Sequence, residues 1–407
     1  MTRRRILLVC RASSAESAKA AQALAALDSV DVVSSDLSDL EGLLKTASAL
    51  RKENGSLERI VTPQETLLEM VALANEALGL PGLSVAAVRR TLDKSQLKAT
   101  LKAAGVNTPG YQVVTSLESA RTFARELGFP IVLKSLSGSG ALATFLVNSE
   151  TDLNKVIDLG PFLAEQYITG QELCIDTITI DNEPRFYSVC CYQPSILAAI
   201  EQPNIQWSCV MPRDMQPYES FINDGLAAIR ALNVGNAMTH MEGFIDANGK
   251  AWFTDATLRP AGARIAPMLA HAYDIDPYLA WARVAVDGGF DGPWERKYAV
   301  GTVFLRHSGA GVVEKVDGID DVERELGDLL RETRWPRIGA GKSPTYTGDG
   351  FVTIRHPDTA IVQDALQRIA QLVKVTYSDE RQPTRETWEK RLKNFHELNR
   401  PAWDQAN

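Results

Sequence analysis

No stretch limits what this chain can become as tightly as His240 to Arg264, which reads HMEGFIDANGKAWFTDATLRPAGAR. Met241-Glu242-Gly243-Phe244-Ile245-Asp246 alternates apolar and polar residues. Asp246-Ala247-Asn248-Gly249 has turn chemistry, and Ala251-Trp252-Phe253-Thr254-Asp255 alternates back. The pattern predicts a hairpin broken by Pro260 and Gly262, with the carboxylates of Glu242 and Asp255 on neighbouring strands and one face. Two carboxylates converging beside Arg259 are costly without a cation between them. A hard divalent ion such as Mg²⁺ meets that need; an exposed acidic hairpin that merely keeps the chain soluble has no such need.

At 407 residues the chain is too long for one ordinary core and predicts two or three domains. A net charge of -8 argues against a dedicated nucleic-acid binder, which needs a basic stripe. The basic cluster Arg3-Arg4-Arg5 precedes Ile6-Leu7-Leu8-Val9-Cys10, an apolar run too short for a signal segment or a membrane span. It reads instead as a buried first strand. Cys10, Cys174, Cys190, Cys191 and Cys209 are odd in number and show no CxxC spacing, so reduced core thiols and a cytoplasmic location are expected.

Residues 1–92 alternate strand and helix, with strands at Arg5–Val9, Val30–Val33 and Arg59–Pro63, which implies a small parallel sheet. No GxGxxG follows the first strand, so a dinucleotide site is not expected there. From Asp93 an amphipathic helix runs to Ala104, and strands follow at Tyr111–Val114, Ile131–Leu133 and Thr144–Val147. Lys134 ends one of these strands and opens the Ser/Gly loop Ser135–Ala141, whose backbone N–H groups suit phosphate oxygens. An ordinary flexible hairpin reads the same way, and the loop is no Walker A motif. Strands are expected at Phe162–Ile168, Gln171–Asp176 and Arg185–Tyr192, then an irregular, substrate-facing loop over 194–216 and a helix over Ser220–Leu232. After Pro293 come strand Ala299–His307, a turn at Gly309–Gly311, a partly helical Ile319–Glu332, strand Gly350–Arg355, helix Asp358–Leu372 and strand Val373–Tyr377. A charged, helical tail is expected from Thr384.

In order and spacing these pieces resemble the ATP-grasp superfamily, specifically its carboxylate–amine ligases. The resemblance implies an α/β and α+β fold: a Rossmann-like parallel-sheet domain over 1–92 and an ATP-grasp region over 93–292. Within that region a lid would span about 115–168, and residues 293–407 would be an α+β extension completing the larger antiparallel-sheet domain. It implies ATP bound between two subdomains with Mg²⁺ or Mn²⁺, γ-phosphoryl transfer to a carboxylate, and attack of an amine on the acyl phosphate with release of ADP and phosphate. Lys94 and Lys134 would contact the ATP phosphates, and Ser137, Gly138 and Gly140 would lie in the covering loop. Glu165-Gln166-Tyr167-Ile168 would meet adenine through the Gln166 C=O and the Ile168 N–H, and Glu172 would hold the ribose hydroxyls. Glu242, Asp255 and Thr257 would ligate the metal, and Arg259 would stabilise charge on the acyl phosphate, acting with Lys134 in catalysis. Gly262 would let substrate approach the backbone, and Arg264 is a candidate for a substrate carboxylate or for a structural salt bridge.

The family motif usually ends Glu-x-Asn-x-Arg, whereas Asp255-Ala256-Thr257-Leu258-Arg259 stands here. Aspartate is one methylene shorter and a threonine hydroxyl is a poorer Mg²⁺ ligand than an amide oxygen, so one ion is expected to be held less tightly. The same fold admits a biotin-carboxylase-like or thiol acceptor, and Thr257 leaves open a degenerate, binding-only protein. His240, His271 and His307 show no metal-ligand spacing and read as packed or supporting residues, and Trp207, Trp252 and Trp281 as core or loop anchors. The expected partners are a small carboxylic acid and an amine, with no nucleic acid and no membrane; the resemblance makes a homodimer reasonable.

Overall fold

The computed structural model describes residues 4–10, 15–27, 30–35, 39–54, 57–136, 143–156, 161–202 and 206–379. The chain opens with β1 (Arg4–Val9), α1 (Ala15–Ala26), β2 (Val30–Ser35), α2 (Leu40–Asn54), β3 (Arg59–Val61), α3 (Leu68–Leu78) and α4 (Val85–Leu92). The strands form a parallel sheet of order β2-β1-β3. Ile6, Leu7, Leu8 and Val9 are all fully buried, as an unalternating apolar run must be when helices cover both faces. Next comes α5 (Lys94–Ala103), whose first turn is set by Asp93: its carboxylate accepts from the Ser95 and Gln96 N–H groups at 2.9 and 3.1 Å. That cap places Lys94 and Lys98 one turn apart on a single helix face.

A second sheet holds β4 (Tyr111–Val114), β5 (Ile131–Ser135), β6 (Thr144–Val147) and β7 (Phe162–Gln166) in the order β4-β7-β5-β6. It packs its own core of Ile131, Leu133, Phe145, Val147, Phe162 and Ala164 under α6 (Leu117–Leu127) and α7 (Glu150–Val156). This core is separate from those that pack against the largest sheet.

The largest sheet is antiparallel. It uses β8 (Gly170–Ile180), β9 (Glu183–Gln193), β10 (Trp207–Met211), β11 (Ala237–Asp246), β12 (Ala251–Thr257), β13 (Ala299–Leu305), β15 (Leu330–Arg334) and β16 (Gly350–His356). Their order is β12-β11-β8-β9-β10-β13-β16-β15. The remaining elements are α8 (Ile196–Glu201), α9 (Glu219–Leu232), α10 (Ile265–Tyr273), α11 (Pro277–Asp287), α12 (Ile319–Leu326), α13 (Thr359–Leu372) and the separate β14–β17 pair, Ala310–Asp317 with Lys374–Asp379. One face buries Leu173, Ile175, Met241 and Phe253 against α5 and α9. The other carries Cys174, Cys190, Tyr192 and Trp207 towards α10 and α11.

Several sequence expectations are corrected. The irregular loop expected over 194–216 contains α8 and β10; β10 is an inner strand, and its Trp207, Cys209, Val210 and Met211 are buried. Four of its five residues are buried, so the strand shows no clean alternation, and the Pro, Gln and Asn around them obscure the run. The expected turn at Gly309–Gly311 leads into β14, which begins at Ala310; the segment Ile319–Glu332, expected to be partly helical, is α12 as far as Leu326, and its end enters β15, a sheet edge. Helices α4, α7 and α10 were not anticipated. The expected tail from Thr384 lies outside the described residues. All five cysteines are buried free thiols, and no described helix is long and apolar enough to cross a membrane.

Candidate active site

The site is built on an irregularity in the hairpin. From the turn, Ile245 pairs with Ala251, Phe244 with Trp252 and Gly243 with Phe253. The register then shifts, so that Glu242 pairs with Asp255, Met241 with Ala256 and His240 with Thr257. Thr254 is the extra residue of a β-bulge. In a regular ladder Thr254 would pair with Glu242 and Asp255 would stand opposite Met241, which is fully buried on the far face; the bulge makes the two carboxylates face each other over the cleft. Glycine is required at 243, because a Cβ there would lie 2.3 Å from the Trp252 carbonyl oxygen.

Around this hairpin lies a cleft of about 280 Å³ lined by Glu65, Lys94, Lys134, Glu165, Gln166, Ile168, Glu172, Tyr192, Glu242, Asp255, Thr257, Arg259, Gly262 and Tyr346, among others. At one end Asp255 bridges two lysines. Lys94 Nζ lies 2.8 Å from its Oδ1 and Lys134 Nζ 2.9 Å from its Oδ2. Lys134 also pairs with Glu165 Oε2 at 3.2 Å, and Glu165 Oε1 pairs with Lys98 at 3.1 Å. Burial opposes ionisation of Asp255, but the ammonium groups of Lys134 and Lys94 hold its carboxyl well below the usual range. Three cations against two anions leave this end positive, as a polyphosphate requires.

The neighbouring end is acidic. Glu172 accepts from the Ile196 N–H at 2.6 Å, yet burial and the nearby Glu242 carboxylate push its carboxyl up to about 8. Glu242 receives the Tyr192 hydroxyl at 3.3 Å and faces His240 Nε2 at 3.4 Å. The other ring nitrogen of His240 lies 3.0 Å from Asp176 Oδ1. Burial alone would lower the imidazole's affinity for a proton, but Asp176 raises it well above the ordinary value. The ring is therefore strung between two carboxylates, which favour its protonated form. Thr257 Oγ1 is buried with no hydrogen-bond partner among the described residues.

At the third corner Arg259 donates from Nε and Nη2 to Glu65 Oε2 at 3.2 and 2.9 Å, and from Nη1 to the Pro260 carbonyl at 2.8 Å. Glu65 follows β3, so the N-terminal sheet reaches directly into the cleft. Gly262 lines the cleft, whereas Arg264 pairs with Glu332 and lies over the Phe351 ring, 4.1 Å from its centroid. Arg264 is not among the cleft-lining residues. Ser137, Gly138 and Gly140 lie outside the described residues. Glu165 lines the cleft, but its carboxylate is spent on the two lysines, and Gln166 Oε1 accepts from the Gly110 N–H at 3.3 Å.

Sequence reasoning missed Glu65, Lys98, Tyr192 and Tyr346. Glu65 had a signal, since ligands gather beyond the carboxyl ends of parallel strands. So had Lys98, which stands four residues after Lys94 on a helix. The two tyrosines come from β9 and a distant loop, and no local pattern joins them.

The ATP-grasp domain family matches residues 91–220. The chain is 23% identical over 243 residues to an L-arginine-specific L-amino acid ligase of Bacillus subtilis, covering 57% of this chain and 58% of that protein. It is 35% identical over 113 residues to a D-alanine--D-alanine ligase of Moorella thermoacetica, covering 24% of this chain and 36% of that one. The chain spans about half the length of the curated relatives it matches first. Among solved structures, an L-amino acid ligase from Bacillus licheniformis superimposes with a TM-score of 0.75 at 18% identity, over 93% of this chain and all of that one. A biotin carboxylase from Campylobacter jejuni superimposes at 0.63 with 15% identity, over 97% of this chain and 95% of that one.

Proposed function

For a chain whose residues 91–220 match the ATP-grasp domain family, we propose the activity of an ATP-dependent carboxylate–amine ligase that forms an amide through an acyl phosphate and releases ADP and phosphate. The observation that carries this reading is the convergence in one cleft of Lys94 and Lys134, the register-paired Glu242 and Asp255, and Arg259. Similarity to amino-acid ligases supports the acid–amine pair as substrates.

In this reading Lys94 and Lys134 turn from Asp255 to the polyphosphate, for which an ammonium is a compact point charge. The backbone of 166–168 meets adenine, and Glu172, whose carboxyl is pushed up to about 8, offers an acceptor and, in its protonated form, an O–H donor for the ribose. Arg259, aimed by Glu65, stabilises the negative charge that develops at the acyl carbon's oxygens. The lid sheet excludes water from the acyl phosphate, which hydrolysis would otherwise consume.

The oxygen groups present fit a Mg²⁺ or Mn²⁺ ion: Glu242 and Asp255 face each other, Glu172 holds its proton against the crowding, and the Thr257 hydroxyl is buried without a partner among the described residues. Glu242, Asp255 and Thr257 would hold the ion, and when bound it neutralises polyphosphate charge. A homodimer in the cytoplasm is part of the same proposal, checked by mass in solution and by cell fractionation.

The experiment is phosphate release from ATP·Mg²⁺ across amino acids, small acids and bicarbonate, alone and in pairs, with the nucleotide product identified. Release that needs one acid–amine pair and yields ADP is expected. AMP as product overturns the acyl-phosphate route, and release with bicarbonate alone moves the acceptor class.

A further inference from the structure

Lys98 has no place in the cleft lining, yet it is fully buried, and every polar group it touches belongs to a different part of the molecule. It rises from α5. Its Nζ lies 3.1 Å from Glu165 Oε1 on the lid strand β7, 3.3 Å from Thr108 Oγ1 in the segment entering the lid, and 3.4 Å from the Thr254 carbonyl on β12. Thr254 is the bulge residue, so Lys98 takes up the carbonyl of the residue that turns Asp255 into the cleft. We infer that Lys98 is a positioning residue of this site, fixing Asp255 through the bulge and Lys134 through Glu165.

The charge balance requires such a group. Glu165 is almost wholly buried and is shared by two ammonium groups, Lys134 on the cleft side and Lys98 behind it. When Lys134 turns to a polyphosphate, Lys98 keeps the buried carboxylate paired, so the exchange does not strand a charge in the interior. Without Lys98, Lys134 becomes the remaining counter-ion of Glu165, and the carboxylate competes with phosphate for it. A buried lysine is expensive, and a methionine of similar volume would serve packing better. Its presence is therefore explained by its partners rather than by the core.

This inference rests on the reading that the cleft takes the polyphosphate of ATP, and the test separates the two. Binding of ADP·Mg²⁺ and of adenosine is measured by calorimetry for the wild type, for Lys98→Met and for Lys98→Met/Glu165→Gln. Lys98→Met is expected to weaken ADP about tenfold while adenosine changes less than about twofold, since the loss passes through Lys134. Removing both charges together is expected to return the ADP-over-adenosine preference to within about threefold of wild type. A purely structural lysine would lower the melting temperature of Lys98→Met and leave that preference unmoved, which overturns the inference alone. A wild type that binds no ADP overturns the ATP reading and this inference with it. If the single variant does not fold, the double variant decides: a preference that collapses in it overturns the inference.

Discussion

Both ends of the cleft carry a pair of carboxylates, Asp255 and Glu165 at one and Glu242 and Glu172 at the other, yet their charges are handled in opposite ways. At the lysine end every carboxylate sits between ammonium groups: Asp255 between Lys94 and Lys134, Glu165 between Lys134 and Lys98. Asp255 is accordingly held ionised against the cost of burial. At the acidic end Glu172 and Glu242 crowd each other beside His240 and Tyr192, and burial with the Glu242 charge pushes the Glu172 carboxyl up to about 8. The lysine end is complete without a ligand and must exchange partners to accept phosphate. The acidic end is incomplete and gains from a cation. A nucleotide carrying a divalent ion satisfies both at once, so metal and polyphosphate are expected to bind together rather than separately.

The largest effect should come from removing the residue common to both ends. Asp255→Asn removes the carboxylate that Lys94 and Lys134 share and deletes a proposed metal ligand, and acid–amine-dependent phosphate release should fall by about 10³-fold. Turnover within tenfold of wild type in that variant would break the comparison, because Asp255 would then serve neither end. Lys134→Met confines the damage to the lysine end. The half-saturating ATP·Mg²⁺ concentration should rise about 100-fold, as expected for the loss of a charged, partly buried contact. Steady-state kinetics with the metal held in excess measures it, and an unchanged half-saturation would remove Lys134 from the phosphate site.

This division was only partly legible in the sequence. The hairpin residues, the two lysines and Arg259 are short-range patterns, and each falls in the cleft. The facing of Glu242 and Asp255 was expected from simple alternation, but a regular ladder would have turned Asp255 towards Met241. Only the unpaired Thr254 brings the carboxylate round, and the glycine at 243 was its sole local mark. Tyr192 and Tyr346 reach the cluster from segments far from the hairpin in the chain, where tertiary packing alone decides proximity, whereas Glu65 beyond β3 and Lys98 one turn after Lys94 carried signals that were not read. Strand β10 was missed because a strand buried on both faces looks like any short apolar run.

The acidic end can be sharpened through the histidine. His240→Asn removes the ring that ties Glu242 to Asp176, so Glu242 should lose its fixed orientation. The Mg²⁺ concentration for half-maximal phosphate release should rise about tenfold, with the maximal rate at saturating metal largely kept. A fall in maximal rate with no change in metal requirement would mean that His240 does not act through Glu242.

The smallest effect isolates Glu172 from any ligand. Its carboxyl is pushed up to about 8 from an ordinary 4.5, by burial first and by Glu242 second. Across that window the unfolded chain has already released the proton that the folded protein still holds. The stabilisation is thus fully present below the lower value and is lost as pH rises to the upper one. Glu172→Gln keeps the shape of the protonated acid and has no proton to lose. Without metal or nucleotide, wild-type melting temperature should therefore decline relative to the variant between about pH 5 and pH 8 and run parallel to it above. Added Mg²⁺ with ATP should flatten the wild-type curve, because a bound cation supplies the charge that Glu172 otherwise avoids. Parallel melting curves across the whole range in the ligand-free protein would show Glu172 ionised throughout, and the acidic end would then be no less compensated than the lysine end.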